Sequence, residues 1–171
     1  MQRGKAEEQR GKNTQLHLFS CKMDPQNLPT YQPRRGLTDP VILTTLPHLL
    51  ALCFVLGKAR GSSTFAAYAA IITASSLLSV AWHAQHERKT WVFWADYAFA
   101  MAWTLMDFYV AATTQPSALS TVAGANATVL VANWLTDHWA RQGVLSYVRG
   151  HSLWHLFSCV KSLYVAYVLG R

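Results

Sequence analysis

Along the chain, apolar residues gather into blocks about as long as the roughly 20 residues that cross a bilayer as a helix. The charges fall mostly before the first block and in the gaps. Asp39-Pro40 marks a helix start, with the carboxylate as N-cap and proline at the first helical position. The first block runs about 40–57, ends at Gly57-Lys58 and carries Pro47, which predicts a kink. The second runs about 63–83 and is followed by the polar link His86-Glu87-Arg88-Lys89. The third covers about 91–113 and opens with Trp91 and Trp94, suited to an interfacial aromatic belt. Pro116 then breaks the chain, and a fourth block covers about 117–136. A polar stretch from Asp137 to Gly150 leads to the fifth, about 151–170. The pattern predicts an all-α, multi-pass bundle of five transmembrane helices over residues 37–171. Ahead of it, residues 1–36 form a polar tail with Pro25, Pro29 and Pro33, expected to be disordered. There is no internal repeat and no soluble second domain.

Composition supports the membrane reading. The 171 residues are 51% hydrophobic and 13% charged, about half the charge of an average soluble protein. The net charge of +7 would suggest nucleic acid in a soluble domain. Here the basic residues flank apolar blocks, so anionic head groups are the expected partner and nucleic acid is not. Cys21, Cys53 and Cys159 have no paired spacing, and the last two lie in apolar blocks, which argues against a disulfide framework. Met1-Gln2-Arg3-Gly4-Lys5 has no apolar core behind it, so the first span is expected to act as the insertion signal. Five spans put the basic tail, Arg88-Lys89, Arg141 and Arg149 on one side, and Lys58, Arg60 and Arg171 on the other. The richer side stays cytoplasmic, which predicts N-terminus in and C-terminus out. The endoplasmic reticulum, Golgi and plasma membrane all remain open as the location.

Ionisable residues inside spans are costly and point to function. Ser79 and His83 lie four apart at the end of span two, on one helix face. Asp96 falls early in span three, and His151 and His155 open span five, again four apart. With five spans, all of these lie on one side of the membrane. His83, His151 and His155 can then hold one ion, and three imidazoles leave a fourth tetrahedral corner for water, as in catalytic zinc sites. Asp96 is the candidate for orienting that water or accepting its proton. Ser79 is the candidate for holding a substrate carbonyl oxygen. The site would lie just below head-group depth, so the substrate expected is a membrane lipid amide or ester.

Ser-x-x-x-His near the end of one span, Asp early in the next and His-x-x-x-His opening the last resemble the alkaline ceramidase superfamily. That superfamily also includes the adiponectin and progestin receptors, the Per-like remodellers of lipid-anchored proteins, and the myomaker-like proteins. The resemblance covers about 63–113 and 151–170. It implies zinc on His83, His151 and His155, with Ser79 and Asp96 completing the site of a lipid hydrolase. Members have seven spans, whereas the stretch between Asp96 and His151 has room for one intervening helix instead of three. Metal binding survives that loss, and part of the wall of the lipid pocket does not.

Each of these residues also has a plainer reading. A single interfacial histidine is more often hydrogen-bonded or snorkelling than ligating, and Ser79 and Ser162 can serve helix packing. Asp107, deep in span three, is expected to face the bundle interior, either extending the polar pocket or pairing with Lys161, with the structural role the expected one. Asn133 and Asp137 are expected to end span four beside Arg141, and His86, Glu87 and His138 to be solvated. His86 and His48 remain lesser ligand candidates. The seven tryptophans read as belt and packing residues. Two other functions fit the same residues: a receptor-like or fusion-associated scaffold with a structural metal, and a haem electron carrier with histidines on facing helices.

Overall fold

The computed structural model describes Gly36 and residues 38–171. The rest of the expected tail, with Cys21 and the basic residues placed there, lies outside the described residues. Five helices follow: α1 (Pro40–Ala59), α2 (Ser63–Ala84), α3 (Trp91–Thr114), α4 (Leu119–Arg141) and α5 (Tyr147–Gly170). A 3-10 turn, Pro116–Ala118, leads into α4. Local chemistry sets the boundaries. Asp39 Oδ1 accepts from the Val41 N–H at 2.9 Å, with Pro40 first in the helix. Ser62 caps α2 by accepting from the Phe65 N–H, and Ser146 caps α5 by accepting from the Arg149 N–H. Pro47 brings no N–H to the helical ladder, and α1 tightens into a 3-10 segment over Leu46–Ala51 before resuming at Leu52.

Two boundaries differ from the sequence expectation. Span four was expected to stop near 136 and span five to start at 151, but α4 reaches Arg141 and α5 starts at Tyr147. Hydropathy marks where a helix is lipid-facing, while caps and side-chain pairs decide where it ends. The Asp137–Arg141 ion pair, four apart, supports the last turn of α4. The Ser146 cap starts α5 one turn before its apolar block. Only residues 142–146 remain as a turn, with Gly143 in the left-handed region at φ 73°.

Four of these helices are long and apolar enough to cross a membrane. The other, α3, spans about 36 Å at 24 residues. It carries Asp96 and Asp107, and both are buried inside the bundle. Large apolar side chains face outward on every helix: Leu56, Leu77, Leu105, Leu130 and Val160 are all more than half exposed. In water such a surface would be an aggregation liability, whereas hydrocarbon solvates it.

The helices form a ring. Helix α1 packs on α2 and α5, α2 on α3, and α4 on α5, while α3 and α4 meet only sparsely. Gly150 lets α4 and α5 approach closely, since a Cβ there would lie 3.1 Å from the Thr136 carbonyl oxygen. The apolar core fills the half of the bundle holding the α2 N-terminus and the α5 C-terminus, around Val55, Tyr68, Ile72, Val110, Val165 and Leu169. At its upper edge, Asp107 is fully buried and pairs with Lys161 at 3.0 Å, the structural role expected of it. Tyr68 donates to the same carboxylate at 2.5 Å, and the Asn126 amide N–H donates to it at 3.4 Å. One carboxylate therefore ties α2, α3, α4 and α5 together.

Candidate metal centre

The other half of the bundle holds polar groups. His83 on α2 and His155 on α5 are buried, and His151, one turn before His155, is half-buried. One ligand atom from each of the three rings lies within 4.8 Å of the others. Ring centroids are 5.0 Å apart for His83–His151, 5.0 Å for His83–His155 and 4.7 Å for His151–His155. Imidazoles sharing a tetrahedral ion at the usual Zn–N distance of about 2.0–2.1 Å place their centroids roughly 5 Å apart. The Nε2 atoms of His83 and His155 lie 2.9 Å apart. A shared ion needs about 3.3 Å between them, so the rings would part by a few tenths of an ångström. The donor set fits a metal.

Glu87 sets the tautomer of His83. Its carboxylate lies 3.0 Å from His83 Nδ1, and a carboxylate accepts, so Nδ1 carries the proton and Nε2 presents its lone pair to the site. A solvated Glu87 was the sequence expectation, and the structure corrects it. The reason is the end of α2. The Glu87 N–H donates to the Trp82 carbonyl and the His86 N–H to the His83 carbonyl, each at 3.1 Å. Both His86 and Glu87 adopt φ 57°, a left-handed conformation that costs side-chain-bearing residues roughly 1–3 kcal/mol each. That reversal folds the Glu87 carboxylate back onto the ring one turn earlier. Glu four residues after His is the signal that was present in the sequence. His86 itself is exposed, as expected of a link residue.

Aromatic rings surround the trio. Tyr147 stacks on His151 at 5.1 Å, Trp154 lies 5.2 Å from His151, and Trp82 lies 4.8 Å from His83. Trp82 and Trp103 are buried, while Trp91, Trp94, Trp134 and Trp139 are exposed as a belt requires. The indole N–H groups of Trp82 and Trp154 are buried with no hydrogen-bond partner among the described residues.

A cavity of about 320 Å³ runs down from His155 between the helices, at the small end of the range for ligand pockets. Ser79 and Asp96 both line it, on α2 and α3, so the two proposed catalytic residues share one space with His155. Asn133 also lines it, a position its sequence reading as a helix-end residue missed. So does His48, buried on the 3-10 segment of α1, with its ring 6.0 Å from that of His155. Its Nδ1 lies 2.8 Å from the Thr45 carbonyl oxygen, which accepts the ring proton and leaves Nε2 as an acceptor. Sequence reasoning ranked His48 low because nothing in the pattern tells which way a proline-broken helix turns its side chains.

Comparison with models of known families, with curated proteins and with solved structures finds no match to this chain. Fold and site together define a multi-pass membrane helix bundle with a three-histidine cluster able to hold a metal ion.

Proposed function

We propose that this protein is a zinc-dependent hydrolase of a membrane lipid amide or ester. The observation that carries the reading is the convergence of three imidazoles from α2 and α5 beside a cavity that also holds Asp96 and Ser79. The sequence resemblance to the alkaline ceramidase superfamily points the same way, because its motif assigns zinc to these histidines. His83, His151 and His155 would hold the ion. Zinc held there would supply Lewis acidity and would acidify a water molecule towards neutral pH.

The chain's own residues do the rest. Glu87 orients His83. Asp96 accepts a proton from the attacking water as its oxygen adds to the acyl carbon. Ser79 donates to the acyl oxygen as negative charge develops there, and the Trp154 indole N–H is a second donor on the cavity wall. When the carbon–nitrogen or carbon–oxygen bond breaks, Asp96 returns its proton to the leaving amine or alcohol. The products are a fatty acid and that amine or alcohol. Buried aromatic walls exclude bulk water and strengthen each of these interactions.

A hydrolysis screen on the purified full chain tests the reading, with ceramides, phospholipids and acylglycerols offered with and without zinc. Fatty-acid release is expected only with the metal, and Asp96→Asn is expected to lower the rate about 10²–10⁴-fold. Metal-loaded protein that turns over none of these lipids would contradict the enzyme and favour a scaffold with a structural metal.

A further inference from the structure

The walls of the cavity differ in burial. Its α1, α2 and α5 walls include Thr45, Ser76 and Ser162, all at most 3% exposed. Its α3 and α4 walls are different. Tyr97 and Met101 on α3 and Leu130 on α4 line the cavity and are also 58%, 62% and 70% exposed. Side chains this exposed that also line the cavity mark the side on which it opens. The spacing agrees: Tyr97, Met101 and Thr104 lie on one face of α3, and Asn126, Leu130 and Asn133 on one face of α4. Each stripe covers seven residue steps, so the slit is about 10 Å long. It lies where α3 and α4 meet only sparsely, between the two helices whose neighbours are otherwise tightly packed.

We infer that this slit is a lateral portal through which the acyl chain of a bilayer lipid enters the bundle. The surroundings of the rim decide the occupant. Tyr97, Met101 and Leu130 sit within membrane-spanning helices, so what reaches them is hydrocarbon. Tyr109, Leu105 and Val131, also more than half exposed, continue the same apolar surface along α3 and α4. A polar solute would have to cross that surface, whereas a lipid tail is already in contact with it. Once inside, the chain lies along the α5 face that runs from His155 through Ser158 to Ser162. That this places an acyl carbon beside the histidines rests on the hydrolase reading above. Entry of the chain does not.

The test uses the full-length protein in lipid nanodiscs containing a phosphatidylcholine with a photoactivatable acyl chain, and maps adducts by peptide mass spectrometry. Surrounding lipid labels outward residues whatever the cavity does, so the informative positions are inside. Adducts on Ser76 and Ser162, which surrounding lipid cannot touch, are expected. They should fall at least several-fold in the Met101→Trp/Leu130→Trp variant, which plugs the rim at exposed positions. Labelling confined to outward faces in the wild-type protein overturns the portal. So does interior labelling that the plugged variant, shown folded by its thermal transition, leaves unchanged. If that variant does not fold, the wild-type adduct map alone decides. Because the experiment needs neither metal nor turnover, interior adducts without lipid hydrolysis would reject the enzyme and keep the portal. Zinc-dependent hydrolysis without interior adducts would do the reverse.

Discussion

Glu87 shows how a single side chain gains a role from local backbone geometry. Its carboxylate reaches His83 Nδ1 because two consecutive residues accept a left-handed conformation at the end of α2. A hydrogen bond of this kind fixes both the tautomer and the orientation of a ligating ring, and losing it weakens metal affinity about 10–100-fold in comparable sites. Glu87→Ala should therefore lower affinity for zinc by that order while the helices stay formed, as read by competition with a chromogenic chelator. An affinity equal to wild type would mean the carboxylate does not support the ring. At the same scale, the sequence was informative about His83, His151 and His155, since four-residue spacing puts side chains on one helix face. It said less about Glu87 and His48, whose positions depend on a helix reversal and a proline-broken turn that periodicity does not encode.

Among the helices, α3 is the member that could not stand alone in hydrocarbon. Its buried Asp107 is tolerable because neighbouring helices supply partners on three other elements through Tyr68, Asn126 and Lys161. Breaking a buried pair leaves one charge uncompensated and costs about 3–5 kcal/mol. Lys161→Ala should accordingly destabilise the bundle strongly, and Asp107→Leu/Lys161→Met should recover most of that loss. Thermal unfolding in detergent checks both; a double variant no more stable than Lys161→Ala would contradict the pairing account. The existence and order of all five helices were legible in the apolar blocks. The ends of α4 and the start of α5 were not, because the Asp137–Arg141 pair and the Ser146 cap carry helix into polar sequence.

For the whole molecule, the alternating direction of the five helices brings the end of α2, the start of α3 and the start of α5 to the same end of the bundle, and that connectivity lets distant residues share one site. The distribution of basic residues predicts that this is the cytoplasmic side. In sealed vesicles with their cytoplasmic face outward, an epitope tag at the N-terminus should then be accessible and one at the C-terminus only after permeabilisation; the opposite pattern would reverse the assignment. The bundle divides its interior between an apolar half that supports the packing and a polar half that carries the histidines and the cavity. What sequence alone left out was the sparse α3–α4 contact, because lipid-facing and portal-facing residues have the same apolar chemistry.

The most direct test is elemental analysis of the full chain purified in mild detergent without added metal, beside a variant with His83, His151 and His155 all changed to alanine. The wild-type protein should carry roughly one zinc per chain, and the triple variant none above background. Zinc absent from the wild type even after loading, or retained in full by the variant, would show that these imidazoles do not form the centre.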